Sequence, residues 1–202
     1  MNIDITERDK DGFMLLYANV TEVDIDEILP LLSQYRRDKI SRDKKDIDKK
    51  LSAVCEYLLI YGMRRCMVDF RLPLSFEFNK FGKAYLSGYP DLKFNFSHAG
   101  NYAVCVISDT EIGVDIEPSV RESKGIAEKY FSDAEKRLAD INGFSYVWTR
   151  KEAFLKCEGT GILLGIDKAD VSNDVLFFNN EKYTITGLKD EISGYALSVC
   201  LK

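Results

Sequence analysis

The segment Glu111-Ile112-Gly113-Val114-Asp115-Ile116-Glu117-Pro118 alternates apolar and acidic residues, the period-two pattern of a strand. Ile112, Val114 and Ile116 then take one face, and Gly113, Asp115 and Glu117 take the other. Asp115 and Glu117 stand roughly 6–7 Å apart on that face, where two like charges repel unless a cation joins them. Oxygen-only donors suit Mg²⁺ or Mn²⁺, and Gly113 leaves space beside the pair. The same pattern fits an edge strand whose acids face water and which stops at Pro118. The strand alone leaves both readings open.

A second constellation is Trp148-Thr149-Arg150-Lys151-Glu152-Ala153-Phe154-Leu155-Lys156, on a helix that Ser145 could cap and Gly159 could end. Trp148, Glu152 and Lys156 fall at i, i+4 and i+8 and share a face, while Val147, Phe154 and Leu155 anchor other sides. Glu152 and Lys156 could equally be an ordinary surface pair worth about 0.2–0.5 kcal/mol.

Third is Phe94-Asn95-Phe96-Ser97-His98-Ala99-Gly100, which carries the single histidine of the chain. A lone histidine is more often structural than catalytic. A Ser-His-Asp hydrolase is not implied, because there is no G-x-S-x-G elbow and Ser97 and His98 point to opposite faces of a continuing strand. A hydroxyl, an imidazole and the N–H groups of a glycine turn suit a phosphate better. No Walker-type or dinucleotide fingerprint is present.

The elements that must position these residues follow from periodicity. A strand is predicted near 13–20, helices near 24–34 and 44–68, short strands at 74–78 and 83–86 around a Phe81-Gly82 turn, and strands at 93–97 and 102–108. A second half repeats the plan, with a strand at 111–117, helices near 126–140 and 145–158, a hairpin across 175–185 and a last strand at 195–201. Gly100-Asn101-Tyr102-Ala103-Val104-Cys105-Val106 is similar to Gly194-Tyr195-Ala196-Leu197-Ser198-Val199-Cys200-Leu201, and Phe78-Asn79-Lys80 to Phe178-Asn179-Asn180, a weak internal duplication. The expected fold is α+β. Two similar α/β lobes, 1–109 and 110–202, are related by a pseudo-twofold axis, with a ligand cleft between them.

Composition narrows the classes. At 46% hydrophobic and 30% charged over 202 residues, the chain lies outside the disordered range. No apolar run approaches the roughly 18 residues of a spanning helix. The segment Met1–Gly12 has six charged residues and no apolar signal region, so a cytoplasmic protein without a membrane partner is expected. Five scattered cysteines and one histidine argue for reduced core thiols rather than a zinc site or disulfides. The net charge of −5 argues against a general nucleic-acid binder, although Arg36–Lys50 packs eight basic residues against four aspartates. That stretch is either a solvated helix face or a dock for an anion.

Taken together, these segments resemble the 4′-phosphopantetheinyl transferase superfamily, in its longer, two-lobed monomeric type. That family shows G-[IV]-D-[IV]-E followed downstream by W-x-x-K-E-x-x-x-K. Here Gly113–Glu117 and Trp148–Lys156 stand in that order about thirty residues apart, after Phe94–His98 and with Tyr130-Phe131-Ser132-Asp133-Ala134-Glu135 between them. The resemblance implies that Asp115, Glu117 and Glu152 bind Mg²⁺, which also grips the diphosphate of coenzyme A. Lys156 and His98 would neutralise phosphate oxygens. Arg36 and Lys39 look like the basic step that holds the 3′-phosphate, with Ser52 and Ser97 as hydroxyl donors, and Gly82 and Lys83 resemble the turn at the adenine. Ala84 stands where that turn has proline.

The implied reaction moves the 4′-phosphopantetheine arm of coenzyme A to a serine of an apo acyl- or peptidyl-carrier protein and releases adenosine 3′,5′-bisphosphate. Glu152 is the first candidate to accept the serine proton and Glu135 the second. The carrier is expected on the second lobe, against Phe131, Tyr130 and Leu138. The alternative is a protein of the same fold that binds coenzyme A without turnover.

Overall fold

Strand structure begins earlier than the apolar pattern predicts. The computed structural model describes residues 3–10, 12–120, 123–161 and 165–202. In it the charged segment Ile5–Lys10 is strand β1, paired antiparallel with β2 (Phe13–Asn19) from Ile5 opposite Ala18 to Lys10 opposite Phe13. No residue of β1 is fully buried, so the alternation that marks a half-buried strand is absent.

The helix expected over 24–34 is instead two 3-10 turns, Ile25–Glu27 and Leu29–Leu31, followed by helix α1 (Gln34–Arg42). Pro30 has no N–H to continue a helix, and Leu32 is extended. The helix restarts where the Ser33 side chain accepts the Arg36 N–H, a cap worth about 1 kcal/mol. Helix α2 (Asp46–Arg65) is buried at every position from Leu51 to Ile60. Gly62 lets it approach the sheet, since a Cβ there would fall 2.3 Å from Ile107 Cδ1 and 2.8 Å from Leu16 Cδ1. After the two-stranded β3 (Phe76–Phe78) and β4 (Ala84–Leu86) come β5 (Lys93–Ala99) and β6 (Tyr102–Ser108), completing an antiparallel sheet of order β1-β2-β6-β5.

The chain divides into two compact units, Met1–Phe78 with Ala84–Asp109, and Asn79–Lys83 with Thr110–Lys202. The second contains β7 (Ile112–Pro118), helices α3 (Lys124–Tyr130), α4 (Asp133–Asn142) and α5 (Phe144–Glu158), and strands β8 (Val175–Phe178), β9 (Glu181–Gly187) and β10 (Tyr195–Leu201), in sheet order β7-β10-β9-β8. One helix was expected over 126–140. Phe131 is extended there, and Ser132 with Glu135 forms a capping box that starts α4 afresh. Helix α5 is capped by Gly143, at φ 90°, rather than by Ser145, whose hydroxyl donates to the Pro118 carbonyl at 2.6 Å. It ends at Gly159, left-handed at φ 73°, as its spacing predicts.

Both units follow one connectivity. The strand before the helices pairs with the last strand, β2 with β6 and β7 with β10, and the last strand pairs with the one preceding it. Equivalent corners close on Val20 N–H to Asn101 O and Ser119 N–H to Gly194 O, each 2.9 Å. The duplicated wording falls on the equivalent strands β6 and β10. In the register this sets, Leu16 and Ala18 of β2 occupy the places of Asp115 and Glu117 of β7. Among the described residues, no helix is long and apolar enough to cross a membrane.

Candidate active site

Gly113 decides which face of β7 meets α5. A Cβ on it would lie 2.1 Å from the Ala153 carbonyl oxygen and 2.3 Å from the Cys157 nitrogen. The face that carries Asp115 and Glu117 is therefore the face α5 packs on. Asp115 is buried, and the Lys156 ammonium donates to its Oδ1 at 2.7 Å and to the Val114 carbonyl at 3.0 Å. Across the ladder Ser198 pairs with Asp115, and its hydroxyl lies 2.8 Å from that of Thr149 on α5. Thr149 and Lys156 mark the side of α5 that meets the sheet. Glu152, half-buried, stands between them at i+3 from Thr149.

Asp115, Glu117 and Glu152 are all carboxylate donors, the chemistry that suits a hard divalent cation. Among the described residues, no three His, Cys, Asp or Glu side chains converge into a metal-holding group, and the cation beside Asp115 is Lys156. The donor set suits such an ion in kind, by its oxygen chemistry, and not by a gathered arrangement.

Lys83 is engaged within its own unit. Its buried ammonium donates to Glu111 Oε2 at 2.5 Å, to the Cys157 carbonyl at 2.8 Å and to the Ile112 carbonyl at 3.3 Å. It pins the 79–83 turn to β7 and to the C-terminal end of α5, where helix carbonyls favour a cation. Asn79 adds a second tie, donating to Gly159 O at 2.7 Å. Gly82, at φ 88° with open space around it, leaves the turn's backbone as the part a ligand can reach.

Glu135, the second candidate proton acceptor, is held in a buried network. It is fully buried, one oxygen accepting from Lys151 Nζ at 2.7 Å and Val171 N–H at 2.8 Å, the other from Ser132 N–H at 2.8 Å. Lys151 also donates to the carbonyls of Ile166 and Ala169. The pair fastens α5 to the 165–171 segment. Phe131, expected to meet a carrier, is likewise buried, stacked on Phe144, which stacks on Trp148.

In the first unit Arg36 is also turned inward. Its guanidinium donates to Glu56 at 3.2 Å and to Ser52 at 3.3 Å and lies over the Phe96 ring. Glu56 in turn accepts from the N–H and hydroxyl of Ser33. Arg36 and Ser52 are thus brought together, as buried partners of one network. Ser97 is buried on β5, His98 beside it is exposed, and Lys39 is exposed on α1. Cys55, Cys105, Cys157 and Cys200 are buried, whereas Cys66, expected in the core with them, is exposed; burial pushes the Cys105 and Cys200 thiols well up.

The model of the 4′-phosphopantetheinyl transferase superfamily matches residues 111–200, from the start of β7 into β10. A 4′-phosphopantetheinyl transferase of Bacillus subtilis is 28% identical over 155 residues, covering 72% of this chain and 68% of the relative. Another, of Bacillus pumilus, is 30% identical over 155 residues, covering 70% and 64%. The L-aminoadipate-semialdehyde dehydrogenase-phosphopantetheinyl transferase of Saccharomyces cerevisiae is 28% identical over 184 residues, covering 81% and 65%.

Over residues 111–200 the chain is similar to the 4′-phosphopantetheinyl transferase superfamily.

Lys151 and Glu135 went unread as a structural pair. Lys151 sits inside the motif beside Glu152, and only its position on the buried side of α5, next to Ala153-Phe154-Leu155, signals that it points inward. The S-x-x-E spacing of Ser132 and Glu135 is the signal for a cap.

Proposed function

We propose that this chain transfers the 4′-phosphopantetheine arm of coenzyme A to a serine hydroxyl of an apo acyl- or peptidyl-carrier protein, with release of adenosine 3′,5′-bisphosphate. The observation that carries this reading is the contact between Asp115 and Lys156 at 2.7 Å. It joins the two motif halves, 41 residues apart, on one seam of strand and helix. The transferase names of the relatives support the same activity.

The serine oxygen forms a bond to the β-phosphorus of coenzyme A. The bond from that phosphorus to the bridging oxygen breaks, and the bisphosphate leaves with the electron pair. Lys156, half-exposed beside Asp115, moves its ammonium to a phosphate oxygen and offsets charge there. Glu152, on the same side of α5, takes the serine proton directly or through a water. Asp115, Glu117 and Glu152 would hold Mg²⁺, or Mn²⁺, which when bound supplies further charge neutralisation to the diphosphate. Lys39, Ser97, His98 and the backbone of the Gly82 turn take the nucleotide end. In this reading both lobes, related by a pseudo-twofold axis, flank one coenzyme A cleft, and the protein works as a cytoplasmic monomer.

The test is intact-mass spectrometry of apo-carriers incubated with the chain, coenzyme A and magnesium. A gain of about 340 Da, the mass of the arm, is expected, and it is lost in Asp115→Ala and Glu152→Ala variants that keep the wild-type circular dichroism. The alternative reading is coenzyme A binding without turnover. Calorimetric binding of coenzyme A with no mass gain on any carrier selects that reading.

A further inference from the structure

We propose that a cavity in the first unit, lined by none of the candidate active-site residues, binds a small amphipathic cation: an alkyl or aryl body bearing one amine or guanidine. The cavity measures about 590 Å³, within the range of small-molecule sites. Its floor is apolar, formed by Met14 of β2, Ile107 of β6, Val68 and Leu92. Such a surface favours carbon over water.

Its walls are tied together. The chain leaving α2 turns back through the bond from Val68 N–H to Met63 O at 3.1 Å, and the chain after β4 turns at Gly88, φ 82°. The Tyr89 hydroxyl then donates to the Asp69 carbonyl at 3.1 Å and joins the two segments. These bonds keep the hollow open rather than letting the loops collapse onto the sheet.

Charge chooses the ligand. Asp9, Asp91 and Asp109 line the cavity and are exposed, no Lys, Arg or His lines it, and none of the three aspartates has an ion-pair partner among the described residues. The nearby Arg65 is held by Glu7 at 3.0 Å. The negative field is registered by Cys66, also in the lining, whose thiol is pushed up by burial and then by Asp9 and Glu7. Three carboxylates around an apolar floor repel fatty acids, nucleotides and acidic proteins and attract a cation that carries its own apolar body.

Cys66 supplies the readout. The other four cysteines are buried and Cys66 is exposed, so alkylation of the intact chain reports this cavity. The probes are octylammonium, octanoate and octanol. Octylammonium is expected to slow Cys66 alkylation and to bind, by calorimetry, at least about tenfold more tightly than either other probe. In Asp91→Asn/Asp109→Asn, two exposed loop changes that leave the core alone, the three probes should converge to within about threefold. Four results would overturn the proposal: octanoate or octanol binding as tightly as octylammonium, no heat and no protection at millimolar octylammonium, a preference for the cation that survives the double variant, or protection that grows with protein concentration without a probe, which would mean that a second copy covers the cavity.

Discussion

Lys156 and Asp115 meet as an ion pair with unequally solvated ends, the lysine side chain keeping 29% of its exposure and the aspartate 9%. Lys156→Met leaves a mostly buried carboxylate without the cation beside it, whereas Asp115→Asn leaves an ammonium that still reaches water and the Val114 carbonyl. The lysine variant should therefore lose more stability, about 1–3 kcal/mol after allowing for solvent screening, against about 1 kcal/mol or less for the asparagine. Urea midpoints check the order. Both variants should lose carrier modification by at least about a hundredfold, so activity and stability should not track each other.

Gly113 cannot accept a side chain, because the atoms it would meet belong to the backbone of α5. A flexible neighbour could swing aside, but here β7 or α5 must shift as a whole. Gly113→Ala should cost about 2–4 kcal/mol and carry Glu152 and Lys156 away from Asp115. Thermal unfolding measures the first effect. A loss of transfer larger than Lys156→Met alone produces measures the second.

Lys151 and Glu135 are 2% and 1% exposed, so removing either strands the other in a dry core. Each of Lys151→Met and Glu135→Gln should cost about 3–5 kcal/mol, and the double variant less than their sum. A Glu135→Gln enzyme that stays folded should retain the wild-type pH profile of kcat, because the carboxylate positions a loop rather than accepting a proton. A shifted profile would return Glu135 to the chemistry.

Much of this site was legible in the sequence because two spacings are geometric. Alternation put Asp115 and Glu117 on one face of β7, and the i, i+4, i+8 rule put Glu152 and Lys156 on one side of α5. Charge was the less legible signal. Arg36, Lys83 and Glu135 read as ligand or proton handlers, and their protein partners were not visible because a side chain's direction depends on what it can pair with in three dimensions. Glu56, Glu111 and Lys151 lie 20, 28 and 16 residues away from them. Strand β1 and helix α1 were missed for a related reason: an exposed edge strand and a capped polar helix have little apolar periodicity to read. The duplicated strand wording was informative, as β6 and β10 take equivalent places in their sheets.

Arg36 and Lys39 lie one helical turn apart on α1 and should separate cleanly. The Arg36 guanidinium is buried against Glu56, Ser52 and Phe96, so Arg36→Met should cost about 2–4 kcal/mol and change coenzyme A affinity only as far as it unsettles α1. Lys39 is exposed, so Lys39→Ala should leave the urea midpoint within about 0.5 kcal/mol of wild type. It should raise KM for coenzyme A severalfold while leaving KM for the 3′-dephospho form unchanged. Equal effects on the two substrates would remove Lys39 from the 3′-phosphate.

Cys66 offers a check on the field around the first unit's cavity that requires no ligand. Burial is the largest influence on its thiol, and Asp9 and Glu7 raise it further by disfavouring the thiolate, against a smaller opposing pull from Arg65. A raised thiol holds its proton to higher pH, so the thiolate fraction at neutral pH is depressed and alkylation is slow. Asp9→Asn removes the largest charge contribution and should lower the thiol pKa. The thiolate then gains population faster than it loses intrinsic nucleophilicity, so iodoacetamide labelling at neutral pH should quicken while its pH midpoint moves down. An unchanged midpoint in Asp9→Asn would mean that burial alone sets the thiol and that the aspartate's field does not reach it.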